Sequence, residues 1–166
     1  MVERDGADSG DDLQRRGLRT PILLRFSDIL ANRIGALAGA FASAISEYEY
    51  AGRWRGVYPI KVNQQCHVVD EIVEHGARYG VGLEAGSKPE LLIALALLDT
   101  KNALLICNGY KDRAYLETAL LAQRLGRRPI IVIDRYRELE LLIKTSHELG
   151  IRPHIGVRAK LWARGE

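Results

Sequence analysis

Apolar residues along this chain change their spacing partway, and the change predicts one long helix followed by short strands alternating with helices. Ile29, Leu30, Ile34, Leu37, Phe41 and Ile45 recur mostly at intervals of three and four, which gathers them on one face of an α-helix. Ser27, just ahead of that stripe, is the expected N-cap. The short apolar stretch 21–26 before it reads as extended. From Val57 onward a different unit repeats with a period of roughly 22 to 27 residues: a short apolar run, a polar turn, then a helical stretch. The expected strands are 57–62, 79–84, 103–107, 130–133 and 153–158.

The intervening helices carry their own start and stop signals. Ser87 and Glu90 form a capping-box pair ahead of the apolar stretch 91–98, and Pro89 sits in the first turn, where its missing N–H does no harm. Two further helices begin near Asp112 and Tyr136. Gly126 and Gly150 fall just past them, where a left-handed terminating residue is wanted. Strands alternating with helices require a parallel sheet, so the fold class is α/β. Five consecutive βα-type strands leave two architectures, an open doubly wound sheet or part of a (β/α)8 barrel.

Composition narrows the function classes. At 166 residues, 47% hydrophobic and 27% charged, the chain reads as one soluble globular domain. Residues 1–19 are acidic, glycine-bearing and poor in large apolar groups, so they are expected to form a disordered leader to a domain spanning 20–166. The net charge of +3 is small and the arginines are scattered, which argues against a nucleic-acid partner. No apolar run is expected to approach the roughly 20 residues of a membrane span, and the first residues lack the pattern of a signal peptide. No membrane partner and a cytoplasmic location are the resulting expectations. Cys66 and Cys107 lie far apart without CxxC spacing and read as ordinary reduced thiols.

In both architectures ligands bind at the carboxyl ends of parallel strands. Those positions hold Lys61 and Asn63, Glu84 and Ser87, Asn108 and Gly109, Asp134, and Arg158 with Lys160. Each has a plain structural explanation: strands end in polar residues, lysines reach to water, and Asp134 could cap a helix. Lys61 stands apart. Flanked by Tyr58-Pro59-Ile60 and Val62, its stem is expected to be enclosed and its amine partly desolvated, which favours the neutral form that attacks an aldehyde to give an imine. Rival motifs are weak. Gly80-Val81-Gly82-Leu83-Glu84-Ala85-Gly86 imitates a dinucleotide fingerprint, but its last gap is too long and its first glycines fall within a strand. His67, His75, His147 and His154 show no HExxH pairing and read as surface or packing residues.

Four motifs carry a resemblance. Tyr58-Pro59-Ile60-Lys61-Val62-Asn63-Gln64-Gln65, Leu83-Glu84-Ala85-Gly86-Ser87-Lys88-Pro89-Glu90-Leu91, Cys107-Asn108-Gly109-Tyr110-Lys111-Asp112 and Ile155-Gly156-Val157-Arg158-Ala159-Lys160-Leu161 resemble the biosynthetic arginine decarboxylases. These are pyridoxal-phosphate enzymes built on an alanine-racemase-like barrel, and the similarity runs from about Thr20 to Leu161.

The resemblance implies a pyridoxal-phosphate-binding (β/α)8 TIM barrel of which this chain holds about five of eight βα units. It implies pyridoxal 5'-phosphate bound covalently through Lys61, with Glu84 and Arg158 also contacting the cofactor. The implied reaction is decarboxylation of L-arginine to agmatine and carbon dioxide in polyamine biosynthesis. A homo-oligomer is implied for the full-length enzyme. Magnesium is implied by the family as well, with no ligands assignable here. Parts of the site found further along in relatives are absent, so the chain is expected to be an inactive, truncated fragment that folds poorly alone. Ornithine or diaminopimelate decarboxylation on the same fold, or a noncatalytic half-barrel, are the alternatives.

Overall fold

The computed structural model describes residues 8–19, 21, 23 and 25–159. Two helices precede the sheet: α1 (Asp8–Arg15) and α2 (Ser27–Glu47). The repeating part then runs β1 (Val57–Pro59), α3 (Cys66–Gly76), β2 (Gly82–Ala85), α4 (Lys88–Leu97), β3 (Leu104–Cys107), α5 (Arg113–Arg124), β4 (Arg128–Ile133), α6 (Tyr136–Leu149) and β5 (Ile155–Val157). The sheet order is the chain order, β1-β2-β3-β4-β5, and all four neighbouring pairs are parallel. Unbroken sequential order has no point at which strand order reverses. A doubly wound sheet needs such a reversal, whereas a barrel is built from sequential neighbours. The sheet is therefore an arc of barrel type.

Register divides the sheet into two faces. Leu83 pairs with Leu105, Ala85 with Cys107 and Cys107 with Ile131, and all of these are buried. They pack against Leu91 and Ala94 of α4, Tyr115, Leu116, Ala119 and Leu120 of α5 and Leu142 of α6 in one core. On the opposite face Glu84 pairs with Ile106 and Ile106 with Ile130, residues that are only half-buried. One face is thus covered by helices and the other carries Glu84. Gly82 serves the close strand approach: a Cβ there would come within 2.0 Å of the Leu104 carbonyl oxygen. That packing role explains the glycine that imitated a dinucleotide fingerprint.

Cap geometry agrees with the sequence at most helix ends and shifts at others. Ser87 accepts from the Glu90 N–H, and Asp112 accepts from the Tyr115 N–H at 2.9 Å. Gly150 closes α6 at φ +63°. The expected strand 57–62 stops at Pro59, because Ile60–Val62 form a single 3-10 turn that drives Ile60 into the core. The expected strand 79–84 starts only at Gly82, since Ala77–Tyr79 form another 3-10 turn ended by Gly80 at φ +68°. Ser27 is not the cap of α2. Phe26 holds that position without a side-chain bond, and the Ser27 hydroxyl instead lies 2.9 Å from His75 Nε2 on α3.

Two expectations about the N-terminal part differ from the structure. The segment expected as a disordered leader is helical over Asp8–Arg15, with an Asp12–Arg16 ion pair of 2.8 Å one turn apart; its basic last turn matches the helix dipole. Residues 1–7 of that leader lie outside the described residues. The expectation that no run reaches membrane-spanning length fails for α2, whose 21 residues have a mean hydropathy of 1.4 over an 18-residue window. Its many alanines raise hydropathy without the bulky side chains that mark an apolar run. Leu30 and Ile34 pack near Val68, Ile72 and Val81, and Phe41 stacks on Trp54 with ring centroids 5.6 Å apart. Ile29, Leu37 and Phe41 remain largely exposed, and Ala38 is the single buried residue of the helix among those described.

Candidate active site

The strand ends converge on a cleft of about 200 Å³ lined by Lys61, Glu84, Gly86, Glu90, Asn108, Gly109 and Arg158. All three sequence-predicted site residues, Lys61, Glu84 and Arg158, meet in it. Lys61 Nζ lies 3.6 Å from Glu84 Oε1. Glu84 stands on the half-buried face of β2, so its carboxylate points away from the helices and into the arc. Arg158 follows β5; its N–H donates to the Ile133 carbonyl at 3.0 Å, and its Nε lies 3.9 Å from Asp134 Oδ1.

The surroundings of Lys61 differ from expectation. Its side chain is 65% exposed and Val62 beside it is 68% exposed. The reason is local: the turn after Pro59 rotates Ile60 inward and leaves Lys61 and Val62 outside. The enclosed, desolvated amine predicted from the apolar flanks is not formed by this chain. What the structure supplies to that amine is a neighbouring carboxylate.

Other rim residues divide into those in the cleft and those serving the backbone. Asn63 Oδ1 accepts from the Gln65 N–H at 3.1 Å, and Ser87 caps α4. Asp134 does not cap α6, whose N-cap is Arg135. Lys160 lies outside the described residues. Asn108 is different: its Oδ1 is buried and has no hydrogen-bond partner among the described residues, although it lines the cleft. An acceptor so placed fits a bound group that donates to it.

Two features of the site are not marked in the sequence. Glu90 was read only as a capping residue, yet it lines the cleft and accepts from the Gly86 N–H at 2.6 Å, one residue before the N–H a capping box engages. The second is a buried ion pair. Lys111, its side chain wholly inaccessible, lies 3.2 Å from Glu138 Oε2 and donates to the Gly109 carbonyl at 2.6 Å. The Asp134 N–H donates to the same Glu138 oxygen at 3.1 Å. Lys111 belongs to a quoted motif, but nothing in the spacing marked it as buried.

Below the rim, Tyr115 donates to the Ala85 carbonyl at 2.9 Å. Burial pushes the Tyr115 hydroxyl well above its ordinary range and pushes the Cys107 thiol up to about 12, so both stay protonated. Among the described residues no cluster of three or more His, Cys, Asp or Glu side chains could hold a metal ion. A larger cavity of about 500 Å³, lined by Phe41, Tyr48, Tyr50 and Trp54, lies beside the chain entering β1 and away from the strand-end rim.

Comparison with known proteins accords with this geometry. Residues 37–164 match the family described as pyridoxal-dependent decarboxylase, pyridoxal binding domain. The chain belongs to that family. It is 66% identical over 154 residues to a biosynthetic arginine decarboxylase of Gloeobacter violaceus, covering 93% of this chain and 24% of that protein. The biosynthetic arginine decarboxylase of a Nostoc species is 58% identical over 153 residues, covering 92% of this chain and 22% of that protein. The crystal structure of the biosynthetic arginine decarboxylase from Campylobacter jejuni superimposes with a TM-score of 0.89 at 33% identity, over 96% of this chain and 27% of that one. The chain thus spans about a quarter of the length of these relatives. The barrel-type arc is the corresponding part of a pyridoxal-dependent decarboxylase fold.

Proposed function

We propose that this segment forms the lysine-bearing wall of a pyridoxal 5'-phosphate site in an enzyme that decarboxylates L-arginine to agmatine and carbon dioxide. The observation that carries the reading is the meeting of Lys61, Glu84 and Arg158 in one cleft, with Lys61 Nζ 3.6 Å from Glu84 Oε1. The names of the relatives supply the substrate. A cleft of about 200 Å³ is smaller than the roughly 300–1,000 Å³ of a complete ligand pocket, as suits a segment that provides one side of a site.

The chemistry supplied by bound pyridoxal phosphate is an electron sink for the pair left behind when carbon dioxide leaves an amino acid. The residues of this chain bind and orient. Lys61 holds the cofactor covalently through Nζ, and Glu84 keeps that nitrogen at the cleft by attraction between opposite charges. Arg158 presents a permanently charged planar fork to the polar groups of the bound molecule. Asn108 offers a buried acceptor with no other partner. Magnesium is assigned to no residue here. Homo-oligomeric assembly of the full-length enzyme, implied by the family resemblance, and a cytoplasmic location, expected from the sequence, belong to this proposal.

The test measures labelled carbon dioxide released from carboxyl-labelled arginine, ornithine and diaminopimelate by the complete polypeptide carrying this segment. Release from arginine in preference to the others, abolished by Lys61→Ala, is the expected result. Preferential release from either rival substrate would overturn the assignment.

A further inference from the structure

The buried Lys111–Glu138 pair has no part in the reading above, yet it joins three strand-end loops directly beneath the cleft. Glu90 Oε2 accepts from the Gly86 N–H in the loop after β2. The Gly86 carbonyl packs against Gly109 in the loop after β3 so closely that a Cβ on Gly109 would stand 2.0 Å from it, and Gly109 adopts φ +72°. Lys111 Nζ holds the Gly109 carbonyl at 2.6 Å. Glu138 Oε2 anchors Lys111 at 3.2 Å and also accepts from the Asp134 N–H after β4. A charged pair buried to this degree, with side chains 0% and 6% exposed, is costly to desolvate, and loss of one partner leaves the other charge buried and uncompensated. The residue adjoining the tethered Gly109 is Asn108, whose Oδ1 is the buried acceptor without a partner.

We propose that Lys111 is a positioning residue: by clamping the Gly109 carbonyl and leaning on Glu138, it fixes the β3–α5 loop so that Asn108 holds its side-chain amide against bound pyridoxal phosphate. This rests on the reading of the cleft as the cofactor site. Lys111 itself touches no ligand, and its influence on the cofactor passes through Asn108.

The experiment is a double-mutant cycle on pyridoxal phosphate affinity, measured by fluorescence titration of the complete polypeptide, with thermal midpoints recorded in parallel. Lys111→Met/Glu138→Gln removes both charges together, leaving no buried charge unpaired, and retains an acceptor for the Asp134 N–H. Asn108→Ala and Lys111→Met/Glu138→Gln are each expected to weaken affinity about five- to tenfold, the worth of one hydrogen bond. In the Asn108→Ala background the pair substitution is expected to add less than twofold. Glu138→Gln alone keeps the Lys111 clamp on Gly109, so it should lower the thermal midpoint and leave affinity within about twofold of wild type. Equal affinity losses with and without Asn108, no loss from the pair substitution, or a full loss from Glu138→Gln would each overturn the inference. Failure of the underlying reading is seen separately, as wild-type protein that does not bind pyridoxal phosphate, and that result overturns both.

Discussion

Lys61 Nζ stands 3.6 Å from Glu84 Oε1, and the two side chains differ in exposure, 65% against 19%. The carboxylate belongs to the sheet and the amine to a turn beyond it, so Glu84 is the fixed member and Lys61 the adjustable one. Exposed ion pairs contribute about 0–1 kcal/mol to stability. Glu84→Gln should therefore shift the free energy of urea unfolding by less than about 1 kcal/mol while weakening pyridoxal phosphate binding. A large stability loss with unchanged cofactor affinity would assign Glu84 a structural role instead.

Gly109 and Gly126 both sit at positive φ, +72° and +77°, but only Gly109 has backbone in the way of a Cβ. Gly126→Ala should cost about 1 kcal/mol of conformational strain. Gly109→Ala should cost more, about 2–4 kcal/mol, because the Gly86 carbonyl must also move. Chemical denaturation of the two variants checks the order, and equal costs would refute it.

Leu105 lies at the centre of the helix-covered face with no exposure, so Leu105→Ala should destabilise by about 2–5 kcal/mol. Tyr115→Phe removes the hydroxyl that donates to the Ala85 carbonyl and also meets Cys107, and leaves that carbonyl buried. A loss of about 1–2 kcal/mol is expected, measured by the same unfolding titration.

Asp112 is held below the ordinary carboxylate range, first by the hydrogen bond from Lys88 Nζ at 2.6 Å and then by the Tyr115 N–H. A carboxyl lowered in the folded state stabilises above its unfolded pKa of about 3.9 and loses that contribution as pH falls through the folded value. Asp112→Asn, which still caps α5, should be less stable than wild type at pH 7, with the difference in thermal midpoint shrinking below about pH 4. A difference that stays constant with pH would show that charge is not involved.

The two cysteines should react very differently. The Cys107 thiol is buried and raised to about 12, while exposed Cys66 is raised by its hydrogen bond to Asp70 at 3.3 Å. Iodoacetamide at pH 8 should label Cys66 slowly and Cys107 only after unfolding, read by peptide mass spectrometry. Rapid native labelling of Cys107 would contradict the packing of β3 against α5.

Helix starts at Asp112 and Tyr136, stops at Gly150 and all five strands were legible, because caps, turn glycines and period are written locally. Strand limits were less so: the 3-10 turns at Ile60–Val62 and Ala77–Tyr79 consist of residues equally suited to a strand. Choosing an arc of barrel over a doubly wound sheet required strand order, which no local pattern encodes without a resemblance. The convergence of Lys61, Glu84 and Arg158 followed from the strand-end rule. The exposure of Lys61 did not, because it depends on one turn rotating Ile60 inward. The burial of Lys111 was hidden for a related reason: its partner Glu138 is 27 residues away.

Lys61 is the residue proposed to carry pyridoxal phosphate. The direct measurement is borohydride reduction of the cofactor-loaded complete polypeptide, followed by proteolysis and mass spectrometry of the modified peptide. The cofactor mass is predicted on Lys61, and is lost when Lys61→Ala is treated in the same way. Reduced cofactor found on Lys88, Lys101, Lys111 or any other residue, with Lys61 unmodified, would contradict the account.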